Sequence, residues 1–371
     1  MESVFERKEL CCGCTACENS CPAGAISMVP DREGFLYPQI DQERCIDCGL
    51  CRQVCPFRSA DRRKEAPFAH SYLAQHRSQE ALMASTSGGA FTALSDAVLA
   101  QGGTVYGADF DPEWQVVHRR AETPSQRDRM RFSKYVQSDL RGVYVQVRQD
   151  LREGRAVLFT GTPCQCAGLR GFLEGENLSR LFLCDLICYG IPSPKIWESF
   201  QRMVEEERGG RVNHVQFRSK AYAWSRENSN KVFLIGTTAD PTPRLDDRYY
   251  QLFFGIRSVV RPSCGSCPFA DRARPTDLTI ADYWGVEHYL PQYNDPRGVS
   301  LVLTSTSKGE ELLRLAQKDL FTLARPAQEC LSQQGRLREP VQLPPNREDF
   351  WRDYEEQGLA YALNKYRPDA R

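Results

Sequence analysis

Two runs of cysteine carry the strongest chemical signal in this chain: Cys11, Cys14, Cys17 and Cys21 followed by Pro22, and Cys45, Cys48, Cys51 and Cys55 followed by Pro56. Both have the spacing C-x2-C-x2-C-x3-C-P, at which thiolates hold [4Fe–4S] cubanes. Three thiolates at that spacing wrap three corners of one cubane. The fourth, turned away by its proline, reaches the neighbouring cubane. The expected ligand sets are therefore Cys11, Cys14 and Cys17 with Cys55, and Cys45, Cys48 and Cys51 with Cys21. Cys12 is the spare of the first run: taking it as ligand leaves a single residue before Cys14, so Cys11 fits better. The chemistry implied is one-electron transfer.

Two plainer uses of cysteine compete with this one. Structural zinc closes on four ligands and asks for neither a third C-x2-C step nor a trailing Cys-Pro. Disulfide-dense chains are small and secreted, whereas this one has 371 residues with 16 cysteines and shows no signal peptide. Reduced clusters and free thiolates need a reducing compartment, which predicts a cytoplasmic protein. Lys plus Arg and Asp plus Glu both number 48, so no net field recruits nucleic acid or an anionic membrane. The basic runs from Arg58 to Lys64 and from Arg127 to Arg131 are interspersed with acids and suit a solvated surface. No stretch approaches the roughly 18 apolar residues that a membrane-spanning helix needs.

Positioning these groups takes more than the cysteine runs. Residues 1–60 form the two-cluster module, with the cysteine run repeated inside it, and the charged, proline-containing stretch through residues 61–70 predicts a linker. Beyond it, strand-period and helix-period segments alternate. Helices are expected at 89–100, from Cys164, from Pro194, and near 246–256 and 308–318. Strands are expected at 104–110, 115–120, 155–160, 181–187, 212–218, 231–236, 277–283 and 299–304. The pattern predicts an α/β or mixed α+β sheet domain over 71–335. It ends in a tail, 336–371, where Pro344 and Pro345 precede one modest amphipathic helix read as a docking element.

Seven cysteines lie outside the module. Cys264 and Cys267 form a C-x2-C bounded by Pro262 and Pro268, Cys164 and Cys166 follow a strand and a Gly-Thr-Pro turn, and Cys188 ends another strand. Neighbouring strand ends of such sheets converge on one crevice, so Cys164, Cys188, Cys264 and Cys267 are candidates for a third cluster. The alternative is that Cys164, Cys166 and Cys188 are small buried hydrophobes, as Cys184 and Cys330 are expected to be. Ser85-Thr86-Ser87-Gly88-Gly89 precedes a helix and Gly161-Thr162-Pro163 opens another, so each could face an anion or simply cap its helix. Neither is a P-loop, and no G-x-G-x-x-G follows a strand. The five histidines show no metal spacing; His118 and His214 fall in strands and read as structural. No Ser-His-Asp arrangement stands out.

In order along the chain, STSGGAFTAL (85–94), SKYVQSDL (133–140), VLFTGTPCQCAGL (157–169), LICYGIPSP (186–194), FRSK (217–220), RPSCGSCPFA (261–270) and DLTIADYWGVE (277–287) resemble the coenzyme F420 hydrogenase/dehydrogenase beta-subunit family. The resemblance divides the large domain into an N-terminal region, about 71–150, and a C-terminal region, about 151–335. A bacterial-type dicluster ferredoxin domain ahead of it is a layout that family uses. The resemblance implies a flavoprotein with FAD beside an iron–sulfur cluster. Carried over residue by residue, Ser87, Gly88 and Gly89 would meet the FAD phosphates, while Ser133, Lys134, Tyr135, Thr160, Gly161, Thr162 and Gln165 would line the flavin pocket. Cys164, Cys188, Cys264 and Cys267 would hold the domain's own cluster. Cys166 stands where the family more often carries an apolar residue, which leaves Cys164 and Cys166 as alternatives. Lys134 would favour the reduced, anionic flavin. No catalytic acid or base is required.

Three functions fit that reading. The chain could exchange hydride with coenzyme F420 or a similar carrier at FAD and pass single electrons through the clusters to a redox partner protein or ferredoxin. It could be a ferredoxin-fed reductase of an organic substrate, in polysaccharide or cofactor biosynthesis. Or it could be an electron relay within a larger complex, without chemistry of its own.

Overall fold

The computed structural model describes residues 3–65, 67–220, 223–228 and 233–367. In the N-terminal module the strands β1 (Ile26–Pro30) and β2 (Leu36–Ile40) pair antiparallel, Ile26 against Ile40. Asp31 Oδ1 closes the turn between them by accepting from the backbone N–H of Glu33 and Phe35, both at 3.0 Å. The repeat seen in the cysteine runs is repeated in the backbone. Gly13 and Asp47, each just before the second cysteine of its run, have φ of 69° and 53°; Thr15 and Gly49, just after it, have 61° and 76°. These left-handed residues curl the chain around its own thiols, and a single helical turn follows each (Ala16–Asn19 and Leu50–Gln53).

The large domain is built on a mixed sheet of eight strands among the described residues: β3 (His70–His76), β4 (Thr104–Phe110), β5 (Val116–Ala121), β6 (Val157–Gly161), β7 (Leu181–Leu186), β11 (Leu278–Asp282), β12 (Ser300–Thr304) and β13 (Leu320–Arg325). Their order is β13-β3-β12-β11-β7-β6-β4-β5. The central neighbours β4, β6, β7 and β11 run parallel, and the flanking pairs are antiparallel. A smaller sheet joins β8 (Val212–Gln216), β9 (Leu234–Thr237) and β10 (Arg244–Leu245). Of the strand expected at 231–236, residues 231–232 lie outside the described residues, Phe233 is not in a strand, and β9 begins at Leu234.

Helices of eight or more residues are α1 (Ala90–Leu99), α2 (Val143–Arg152), α3 (Pro163–Phe172), α4 (Pro194–Arg208), α5 (Ser307–Ala316), α6 (Arg347–Gln357) and α7 (Leu359–Tyr366). Alternation along β6 shows why the sheet is covered on both faces. Leu158 packs with Leu94 and Val98 of α1 and Leu312 and Leu313 of α5. Val157 and Phe159 pack the other way, with Tyr144 and Val147 of α2 and Leu169 of α3. Cys12, Cys14, Ala16 and Val54 of the module belong to that second core. The module is therefore seated on the helical layer rather than tethered beside it.

Two expectations change. The stretch 61–70 is not a free linker: Ala60–Arg63 is a turn of helix, the backbone N–H of Glu65 donates to Arg274 O at 2.6 Å, and β3 starts at His70. The tail is not one docking helix either. Both α6 and α7 pack into the chain's own core, with Phe350 and Trp351 fully buried beside Trp197 and Phe200 of α4. Arg347 of α6 makes a bidentate pair with buried Glu33 of the module, its Nη1 at 2.7 Å.

Candidate functional site

The carboxyl ends of β6, β7 and β11 meet on one side of the sheet and open into a cavity of ≈ 290 Å³. Ser87 and Gly89 line it, as do Ser133, Lys134, Tyr135, Thr160, Gly161, Thr162 and Gln165. Gly88 does not. It is buried behind the wall, gives its N–H to Ser300 Oγ at 2.9 Å, and a Cβ there would stand 2.4 Å from Ser300 N. Its place in the motif is explained by close packing, not by anion contact.

Thr162 caps α3, with Pro163 at the first helical position and Gln165 closing a capping box. From Gln165 a hydrogen-bond chain crosses the cavity wall. Gln165 Oε1 accepts from Thr162 N–H at 3.0 Å, and its Nε2 donates to Ser138 Oγ at 2.9 Å. Ser138 Oγ lies 2.8 Å from His118 Nδ1, and His118 Nε2 lies 3.0 Å from Thr160 O. A carbonyl only accepts, so the imidazole carries its proton on Nε2 and accepts from Ser138 at Nδ1. Burial, foremost, holds His118 down to about 4, so it stays neutral at physiological pH.

That gives a pH prediction. An unfolded histidine titrates near 6.5, so between pH 6.5 and 4 the unfolded chain binds a proton that the folded chain refuses, and stability falls as pH falls. His118→Gln should flatten the acid side of the thermal-stability profile, removing roughly 2 kcal/mol of the loss between pH 7 and pH 5. Melting temperatures of the two proteins across that range check it, and parallel profiles would refute it.

Lys134 is half-buried in the same wall. Its Nζ donates to Arg131 O at 2.9 Å and sits 5.5 Å from the centre of the Phe110 ring, and burial lowers it to about 8. On the far side Arg218 pairs with Asp282 at 2.5 Å, Trp224 Nε1 donates to Asp282 Oδ1 at 2.7 Å, and the Trp224 and Trp284 rings stack 5.0 Å apart.

A second cavity, of ≈ 40 Å³, is lined by Cys164, Cys188, Cys264 and Cys267. Cys12, Cys164 and Cys188 wall both cavities. Cys166 does not: it is fully buried in the core below, its Sγ 4.0 Å from Cys184 O. Cys184 and Cys330 are buried as well, and Cys330 Sγ is 3.0 Å from Ala327 O. A third cavity, of ≈ 20 Å³, brings together Cys11, Cys14, Cys17 and Cys55 with Cys12. Of the remaining set, Cys51 and Cys21 share an apolar cluster with Ile26 and Ile40, and Cys48 is exposed. Among the described residues, no three His, Cys, Asp or Glu side chains close on a single-ion site.

Burial and neighbouring sulfurs raise the thiols around the second cavity, Cys188 up to about 12 and Cys267 up to about 11, in each case chiefly through burial. Four thiols lining one small cavity are a donor set of the kind that holds an iron–sulfur core. Arg274 joins this wall to the larger cavity: it pairs with buried Asp185 at 3.1 Å and donates to Phe269 O at 2.8 Å.

His118, Ser138, Arg218, Asp282 and Arg261 were not singled out from sequence as site residues. Ser138, Arg218, Arg261 and Asp282 lie inside the quoted motifs, so the signal existed. His118 had none, because its role comes from partners 20 and 42 positions away.

The curled thiol loops at the head and the thiol-lined cavity beside a larger pocket mark an iron–sulfur electron-transfer protein of the oxidoreductase class. Residues 10–59 match the 4Fe-4S dicluster domain, and residues 154–329 match the family described as the C terminus of the coenzyme F420 hydrogenase/dehydrogenase beta subunit. A 4Fe-4S dicluster domain at the head is thus followed, over residues 154–329, by a region that matches the C terminus of that beta-subunit family. A component of the ion-translocating oxidoreductase complex of Methanosarcina acetivorans is 45% identical over 53 residues, 14% of this chain and 18% of that protein. The pyruvate synthase subunit PorD of Thermotoga maritima is 36% identical over 61 residues, 16% of this chain and 58% of that protein. The chain thus spans less than two thirds of either. A chain of the F420-reducing [NiFe] hydrogenase complex from Methanosarcina barkeri aligns with a TM-score of 0.48 at 18% identity, over 80% of this chain and 91% of that one. Among the described residues no helix is long and apolar enough to cross a membrane.

Proposed function

We propose that the chain passes electrons between a hydride carrier, coenzyme F420 or a similar one, and a one-electron redox partner protein or ferredoxin, using FAD in the large cavity and three [4Fe–4S] clusters. The proposed ligands are Cys11, Cys14, Cys17 and Cys55; Cys45, Cys48, Cys51 and Cys21; and Cys164, Cys188, Cys264 and Cys267. One observation carries the reading: the cavity lined by the residues expected around a flavin shares the thiols of Cys164 and Cys188 with the four-cysteine cavity behind it. When bound, the flavin converts a two-electron hydride into single electrons, which the clusters accept.

The chain's own residues supply position and charge. The hydrogen-bond chain from Thr162 to Thr160 fixes the floor of the cavity, and Tyr144, donating to Gln165 O at 2.6 Å, braces it from below. Lys134 brings a half-buried cation that favours the reduced, anionic flavin. Arg218, held by Asp282 beside Trp284, offers a cation and an aromatic face to an anionic, planar carrier.

Protein purified without oxygen should contain about twelve iron atoms and one FAD per chain. Reduced F420, but not NADH, should bleach it. In the Lys134→Ala protein the flavin potential should fall while the iron content stays unchanged. Bleaching only by a reduced ferredoxin would replace this reading with a ferredoxin-fed reductase. A preparation without flavin would leave an electron relay.

A further inference from the structure

Among the described residues three arginines are buried almost completely, Arg127, Arg261 and Arg274. Two have acids beside them: Arg127 pairs with Asp96 and Asp128, and Arg274 with Asp185. Arg261, 1% exposed, forms no ion pair with a carboxylate among the described residues. Its Nε donates to Cys11 O at 2.8 Å, Nη1 to Gln137 Oε1 at 2.9 Å, and Nη2 to Leu36 O at 2.9 Å. Every one of those acceptors is neutral. Nη2 also stands 3.7 Å from Cys11 Sγ. The guanidinium lies 4.3 Å from the centre of the Tyr37 ring, and it walls the cavity of Cys164, Cys188, Cys264 and Cys267. A buried cation without an anion costs several kcal/mol. Among the described residues, the candidates for its counter-charge in contact are sulfur ligands.

We infer that Arg261 takes its counter-charge from the clusters themselves and sets the potentials of the two that face each other across it, the one at Cys11 and the one at Cys264. The inference rests on the three-cluster reading above. A cubane held by four thiolates is anionic and gains one further negative charge on reduction, so a fixed cation stabilises the reduced form more. An N–H···S hydrogen bond to a ligand sulfur acts in the same direction. Both effects raise the reduction potential, more at the Cys11 cluster, where guanidinium and sulfur touch. The cluster at Cys45, Cys48, Cys51 and Cys21 lies outside the reach of these Arg261 contacts and should be unmoved. Arg261 is thus a positioning residue that keeps the inward pair of clusters easier to reduce than the thiolate sets alone would make them.

Electron-paramagnetic-resonance redox titration of wild type, Arg261→Met and Arg261→Lys tests this, with iron and sulfide counted in every sample. Arg261→Met should lower the potential of the Cys11 cluster most and the Cys264 cluster less, leaving the outer cluster fixed. Arg261→Lys, which keeps the charge and loses the fork, should fall between. Unchanged potentials in a fully loaded Arg261→Met protein would overturn the inference. If that variant does not load, wild type grown with 15N-arginine decides the matter. A nitrogen hyperfine coupling to one reduced cluster supports the contact, and its absence refutes it. A wild-type iron count too low for three clusters would instead bring down the reading beneath, before any potential is measured.

Discussion

Cys164→Ala protein should hold about four fewer iron atoms than wild type, and Cys166→Ala protein the same number. The two residues are two positions apart on α3, but the first turn of the helix points them opposite ways. Cys164 reaches the cavity shared with Cys188, Cys264 and Cys267, while Cys166 is sealed between α3 and β7 with its sulfur near Cys184 O. Removing the Cys166 sulfur leaves a small void in the core, worth about 1 kcal/mol, without touching a ligand set. Removing Cys164 takes one of the four proposed thiol donors that line the cavity. The iron and sulfide content of both variants checks it. With Cys164→Ala, flavin reduction by a hydride donor should persist while the module clusters stay oxidised. If Cys166→Ala were the protein that lost iron, the ligand assignment would move by two residues.

Much of this site was legible in the sequence because its chemistry sits in short, local patterns. The C-x2-C runs, the C-x2-C at Cys264 and Cys267, and the strand–Gly-Thr-Pro–helix turn each declare themselves within a few residues. The parallel strands β6 and β7 were also readable, since a strand buried on both faces is a continuous apolar run. The choice between Cys164 and Cys166 was not. Both follow the same turn, and only the direction in which α3 leaves β6 separates them. Arg261 and His118 escaped for a related reason. A buried arginine is unusual only when the absence of its carboxylate is seen, and that is a fact about space. The tail was misread because its helices α6 and α7 carry Phe350, Trp351, Leu359 and Leu363, an apolar face that suits a partner as well as the chain's own α4. Amphipathicity states that a face will be covered, not by what.

The seat of the module on the large domain should give way when either of two glycines of α3 gains a side chain. Gly168 and Gly171 lie three apart on the helix and face the module together. A Cβ on Gly171 would stand 2.3 Å from Val54 O, and one on Gly168 would stand 2.7 Å from Cys14 Sγ. The first neighbour is backbone and the second a buried thiol of the first cysteine run, so neither can swing aside. The helix itself would accept alanine gladly, gaining about 1 kcal/mol of propensity. Any loss therefore measures the interface. Overpacking of this kind costs about 1–3 kcal/mol at a core contact, and Val54 and Cys14 both belong to the core they would be pushed from. Gly171→Ala should retain its iron but expose the segment around residues 50–58 to hydrogen exchange. It should also slow reduction of the module clusters through the large domain, with flavin reduction unaltered. Gly168→Ala, acting directly on Cys14, should in addition shift the spectrum of the Cys11 cluster. Other ties, among them Arg347 to Glu33, Arg261 to Leu36 O and Cys11 O, and Gln137 to Cys12 O, leave the module loosened along α3 rather than released. Protection of residues 50–58 equal to wild type in Gly171→Ala would mean that α3 is not the surface on which the module is held.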